Sequence, residues 1–216
     1  MALKLIIGNK AYSSWSLRPW LALRHLGIPF EEELVPLFLP GSKEKISSFS
    51  EAGKVPVLID GTITVWESLA ILDYLDEHHA DGRLWPQDRA ARAHARSSAS
   101  EMHAGFGPLR SALPMNVRRP VAPLPVDEAV GRNIARIQGL WRLARLNWGQ
   151  GGPFLYGAFS AADAMFAPVV LRFHHYAVPA WPELQPYMDA IRALPAMQDW
   201  VAAGTAEPWI IEDDEK

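Results

Sequence analysis

The sequence contains no cysteine. Disulfides, thiolate metal sites and a cysteine nucleophile supplied by the protein are therefore excluded, and a reducing, cytoplasmic setting fits. No apolar run reaches the roughly 18 residues that a membrane-spanning helix requires, so no membrane partner is expected. The stretch from Met1 to Gly8 lacks the long apolar region and small-residue cleavage site of an export signal. Charge of one sign is also missing: 21 Lys and Arg against 24 Asp and Glu leave −3, which argues against a nucleic-acid partner. The single acidic run, Glu212-Asp213-Asp214-Glu215, reads as a solvated, frayed end. The pairs His78-His79 and His174-His175 do not imply a metal. Adjacent helical side chains point about 100° apart, and Asp76 with His79 makes two ligands at most.

What the chain does have is apolar material, 49% of 216 residues, enough for one large domain or two small ones. Leu3 to Ile7, bounded by Gly8-Asn9, reads as a buried strand. A helical pattern follows from Ser16 to Leu26, with Leu17, Trp20, Leu21 and Leu23 on one side and Gly27 as its C-cap. Phe30 to Pro36 reads as a second, parallel strand, and a short helix lies between Pro40 and Phe49. Gly53 to Val65 reads as a hairpin turning at Asp60-Gly61, and Glu67 to His79 as a helix. This order predicts a small α/β domain over 1–80.

Residues 81–87 read as a linker, after which strand signals stop. Asp88 caps a long Ala- and Ser-rich helix to about Ala112, kinked or ended by Gly105, Gly107 and Pro108. Four prolines make 114–125 an exposed connection. Asp127 starts a helix whose apolar residues recur up to Trp148. Ser160 starts another, apolar nearly all round through Leu171 and hence buried. Two shorter helices span about Pro182–Ala193 and Pro195–Ala203. The second domain, 88–216, is all-α.

Three segments of the first domain meet if this order holds. Ser13-Ser14-Trp15-Ser16-Leu17-Arg18 places hydroxyls at a helix N-terminus, where free N–H groups stabilise a thiolate and a hydroxyl can donate to sulfur. A plain serine N-cap explains the same residues equally simply. Val55-Pro56 heads a strand. If its bond is cis, the Val55 N–H and C=O are turned out to pair with a peptide-like ligand; if trans, it is an ordinary strand edge. Lys54 beside it suits a ligand carboxylate, or solvent. Glu67-Ser68 opens a helix, where the Ser hydroxyl and N–H groups suit a carboxylate and Glu67 an ammonium.

With Gly53-Lys-Val-Pro-Val-Leu58, Glu67-Ser-Leu-Ala-Ile-Leu-Asp-Tyr-Leu75 and Ser160-Ala-Ala-Asp163, these segments resemble the cytosolic glutathione transferases over nearly the whole chain. The resemblance implies a thioredoxin-like domain followed by the helical domain of that family, glutathione as co-substrate, and a homodimer. It implies Ser14, or its neighbour Ser13, as the catalytic hydroxyl shortly before Arg18. Val55 would pair with the cysteinyl unit across cis-Pro56, Glu67 and Ser68 would hold the γ-glutamyl end, and Lys54 the glycyl carboxylate. The electrophile pocket would face the first helix of the second domain, near Met102, His103, Phe106 and Arg110, of which Met102 and Phe106 serve equally well as core. Ser13-Ser-Trp-Ser also resembles the zeta class, whose motif carries a Cys. Its absence here argues against zeta-type isomerisation and against omega-like thiol exchange. Transfer to a small hydrophobic electrophile is the implied activity. Alternatives are a non-catalytic carrier, and an isomerase or peroxidase working at the same thiolate.

A free thiol near pKa 8.5 is only a few per cent ionised at neutral pH. Lowering that pKa by about 2 units takes roughly 2.7 kcal/mol, within reach of a hydroxyl donor at a helix N-terminus.

Overall fold

The computed structural model describes residues 3–216. The first part comprises β1 (Leu3–Ile7), α1 (Ser14–Leu26), β2 (Phe30–Leu34), α2 (Ser42–Phe49), β3 (Val57–Asp60), β4 (Ile63–Trp66) and α3 (Ser68–His78). The sheet order is β2-β1-β3-β4, with β1 parallel to β2 and antiparallel to β3. β1 reads as a continuous apolar run because both its faces are covered. Leu5 and Ile7 enter the main core, while Ile6 packs on the opposite face with Val35, Ile46 and Val57. The hairpin turns on Gly61-Thr62, one residue later than the sequence implied, because Asp60 pairs with Ile63 and Gly61 takes φ 59°. Asp60 is instead a tether: its carboxylate accepts from Tyr74 Oη at 2.9 Å and meets His79 Nε2 at 2.9 Å. Gly27 ends α1 in the left-handed conformation expected of a C-cap, at φ 68°.

The second part is helical: α4 (Arg89–Ala104), α5 (Gly107–Ala112), α6 (Glu128–Trp148), α7 (Ala161–His175), α8 (Gln185–Ala193) and α9 (Pro195–Ala206), with short 3-10 turns at Pro182–Leu184 and Glu212–Asp214. Asp88 and Asp127 cap α4 and α6 by accepting the N–H of Ala91 and Val130. The long helix expected to Ala112 breaks at Gly105, where a Cβ would lie 2.8 Å from the Glu101 carbonyl, and Phe106 turns left-handed at φ 60°. Every residue of α7 from Ala161 to Phe173 is buried. It is the axle of the molecule, packed by α1 from the sheet side and by the alanine face of α4 from the other. Trp141 of α6 meets Phe166, Phe173 and Tyr187 edge-on or tilted. Truncating such a residue to Ala costs about 3–5 kcal/mol.

Two connections are more tightly held than their composition implied. In the 81–87 linker, Leu84 and Trp85 are buried; Leu84 N–H donates to Asp76 at 2.7 Å and its C=O accepts from Ala161 N–H at 2.7 Å. In 114–125, Pro114 to Val117 are buried beside the β1–α1 loop, and only the later residues are exposed. The acidic run is not frayed. Gly204 packs against the backbone of Lys10 and Ala11, where a Cβ would come within 2.9 Å. From there the chain 207–216 returns across the face of the molecule. Glu207 accepts the N–H groups of Lys10 and Ala11 at 2.7 and 3.0 Å. Arg118 donates to the carbonyls of Glu207 and Trp209, each at 2.8 Å, and Tyr12 Oη meets Glu215.

Candidate functional site

A cleft of about 990 Å³ opens where the start of α1, the approach to β3, the head of α3 and the end of α4 converge, with residues 207–216 along one side. The β1–α1 loop brings Ser13 and Ser14 to its floor. Ser13 is the N-cap of α1: its Oγ accepts Ser16 N–H at 3.3 Å and donates to Ser16 Oγ at 2.8 Å. Ser14 differs. Its Oγ accepts from Arg172 Nη2 at 3.3 Å, and its own proton has no acceptor among the described residues. Both serines line the cleft, but Ser13 has spent its proton and Ser14 has not.

Around them sit three guanidinium groups. Arg172 is 4% exposed, donates from Nε to the Leu113 carbonyl at 2.8 Å, and leaves Nη1 buried without a partner. Burial, helped by the charge of Arg110, pulls its pKa down to about 10, so it stays charged at neutral pH. Arg18, fully buried, donates to Ser68 Oγ at 3.2 Å and lies 4.2 Å over the Trp15 ring. Its pKa falls well below the usual value through burial and then through the neighbouring charges of Arg172 and Arg110. Arg110 lies 5.2 Å from the centre of the same ring. With the N-terminus of α1 these groups make a positive floor suited to an anion.

The walls suit a peptide. The Val55–Pro56 bond is cis, and among the described residues neither the N–H nor the C=O of Val55 takes a protein partner. Lys54 is exposed at the mouth. Glu67, at φ 68°, precedes α3, whose leading N–H groups at Ser68, Leu69 and Ala70 have no protein partner among the described residues. The Glu67 carboxylate lies 3.4 Å from His103 Nε2. Burial lowers the His103 pKa, so its ring is mostly neutral at pH 7.

The family model for the glutathione S-transferase N-terminal domain matches residues 12–78. The maleylacetoacetate isomerase of Rattus norvegicus is 31% identical over 192 residues, covering 86% of this chain and 85% of its own. The chain belongs to the cytosolic glutathione S-transferase family. A probable maleylacetoacetate isomerase of Caenorhabditis elegans is 28% identical over 90% of this chain and 88% of its own length. Among solved structures, a Burkholderia glutathione transferase homolog with bound glutathione superposes with a TM-score of 0.69 at 25% identity, covering 96% of this chain and all of that one.

Within the cleft the sequence-derived residues divide. Ser13, Ser14, Lys54, Val55, Pro56, Glu67, His103 and Arg110 line it. Ser68 does not: its side chain is fully buried, and its hydroxyl accepts from Arg18 and donates to Met165 Sδ at 3.9 Å, so only its backbone N–H remains for a ligand. Met102 and Phe106 do not either. Met102 shares the inward face of α4 with Ala91, Ala95 and Ala99, and the Gly105 break folds Phe106 into the same core. Several lining residues went unread: Tyr12, Pro114, Met115, Ile211, Asp214 and above all Arg172. Arg172 carried a signal, a cation directly after an apolar helix run that ends at Leu171. A buried cation in such a place requires acceptors, and Arg172 finds them in the Leu113 carbonyl and Ser14 Oγ.

Proposed function

We propose that this chain binds glutathione in the cleft, holds its thiol as thiolate through Ser14, and delivers it to a small hydrophobic electrophile. The observation that carries this reading is the unspent Ser14 proton at the N-terminus of α1, facing a cleft whose walls match the parts of the tripeptide. The cysteinyl unit pairs with the Val55 backbone, the γ-glutamyl carboxylate meets the free N–H groups of α3, its ammonium meets Glu67, and the glycyl carboxylate meets Lys54. The floor charges and the Ser14 donor lower the thiol pKa, and the thiolate attacks an electrophilic carbon held beside it. His103 and Arg110 border the electrophile.

A second reading is isomerisation by the same glutathione thiolate, which the names of two relatives as maleylacetoacetate isomerases favour. A thiolate that adds to a conjugated cis double bond allows rotation about the new single bond, and its expulsion gives the trans product. The nucleophile belongs to glutathione, so a protein cysteine is not needed. The unpartnered Nη1 of Arg172 suits a carboxylate on such a substrate. Retention on glutathione-agarose followed by assays with aryl halides, epoxides and a cis-enone acid separates the readings. Conjugation consumes glutathione and isomerisation does not, while retention with neither activity leaves a carrier. No retention and no calorimetric uptake at millimolar glutathione would refute all three. The same reading takes the protein as a cytoplasmic homodimer, to be checked by gel filtration at micromolar concentration, where a monomer would contradict it. Among the described residues no helix is long and apolar enough to cross a membrane.

A further inference from the structure

We infer that Arg172 is the positioning residue for the catalytic alcohol: from α7 its guanidinium holds the Ser14 oxygen as an acceptor, so the one hydroxyl proton is left to face the glutathione sulfur. The inference rests on the thiolate reading above and deepens it by naming what makes Ser14 the working serine.

A serine hydroxyl is a free rotor with one proton and two lone pairs. Ser14 is fixed by the 3.3 Å bond from Arg172 Nη2. Arg172 cannot swing away, because its Nε is tied to the Leu113 carbonyl at 2.8 Å and the side chain is buried. With one lone pair engaged by a cationic donor, the O–H is polarised and becomes a stronger donor in its turn. Among the described residues no carboxylate forms an ion pair with Arg172, Asp214 acting on it only from further away, and Nη1 is left without a partner. A guanidinium placed only to support the fold would be expected to carry a buried counter-ion. This one keeps its charge unspent beneath the place where sulfur becomes anionic. The charged and titratable groups facing it are Arg18 of α1, Arg110 of α5, Tyr176 after α7 and Asp214 on the returning segment. In the step itself the glutathione S–H bond breaks, its proton passes to water and the electron pair stays on sulfur. Ser14 keeps its proton and Arg172 its charge.

The test is a titration of bound-glutathione thiolate absorbance in the wild type, R172K, R172M, S14A and the S14A/R172M double variant, alongside kcat, KM and glutathione calorimetry. R172M is expected to raise the thiol pKa by about one unit and to lower kcat about fivefold at pH 6.5, with glutathione affinity changed less than about threefold. R172K, which keeps the charge, restores at least half of that shift. In the S14A background, R172M shifts the pKa by less than half of what it does in the wild type, because its route through the hydroxyl is gone. An unchanged thiol pKa in R172M, or equal shifts in both backgrounds, overturns the inference. Should R172M fail to fold, R172K carries the same comparison: a smaller shift with Ser14 present and none without it, equal shifts again being fatal. A wild-type protein that binds glutathione without lowering its thiol pKa refutes the thiolate reading itself, and that result is seen before any substitution is made.

Discussion

Replacing Ser14 with Ala removes one hydroxyl and little structure, since Ser14 makes no cap and its side chain bonds only to Arg172. A hydrogen bond to a charged acceptor contributes about 1.5–3 kcal/mol, so losing it should raise the bound thiol pKa by about 1–2 units. At pH 6.5 the thiolate fraction, and with it turnover of an aryl halide, should fall about fivefold to fiftyfold, while glutathione affinity by calorimetry stays within about threefold. The gap should narrow toward pH 9, where a thiol ionises unaided. The matched control is Ser13→Ala. Ser13 caps α1 and joins it to Gly8 through Ser16, whose Oγ accepts the Gly8 N–H at 3.1 Å. Its loss should cost about 1 kcal/mol, a fall of roughly 2–4 °C in Tm for a chain of this size, with turnover within about threefold of wild type. The reverse pattern, activity lost with Ser13 and kept with Ser14, would refute the assignment and the reasoning from spent and unspent protons behind it.

Glu67→Gln removes the partner of the ligand ammonium and should weaken glutathione about tenfold by calorimetry while leaving kcat at saturation nearly unchanged; unchanged affinity removes Glu67 from the site. Asp163, buried in the capping box of α7, has its carboxyl pushed up to about 6 by burial, against an unperturbed 3.8. Because the folded pKa is the higher one, its contribution to stability is full below the unfolded value and is lost as pH rises through about 6. Denaturant unfolding should therefore show the wild type gaining on Asp163→Asn as pH falls from 7 to 5. The opposite slope would mean that the bonds from Leu155 and Ser160 outweigh burial. Arg118→Ala should free residues 207–216, raising their amide exchange more than about tenfold without altering the sheet; protection kept in that segment would show that Tyr12, Asn116 and Glu207 suffice to hold it.

The sheet half was legible because its signals are local: an apolar run for β1, a glycine C-cap, a proline at a strand head, an acidic-polar pair before an amphipathic helix. The caps at Asp88, Asp127 and Ser160 were legible for the same reason. What escaped depends on long-range partners. Ser68 looks like a ligand-binding hydroxyl until Arg18, 50 residues away, and Met165, 97 residues away, are seen to occupy it. Met102 and Phe106 fit a pocket or the core equally well in sequence, and the tertiary packing puts both in the core. Glu212 to Glu215 look frayed because nothing nearby in sequence announces Tyr12, Asn116 and Arg118. The difference between the hydrogen bonds of Ser13 and Ser14, on which the proposed choice of Ser14 rests, involves a side chain 158 positions further along the chain.

The bond from α7 to Ser14 has an outcome for engineering. If Ser14 is the reactive alcohol proposed above, it sits on one half of the molecule and its guide Arg172 on the other, so the halves are not interchangeable parts. A chimera that joined residues 3–80 to the helical half of a relative lacking an arginine in register with position 172 would keep its tripeptide pocket and still be slow. Grafting that one arginine back would then revive it more than any redesign of the pocket rim.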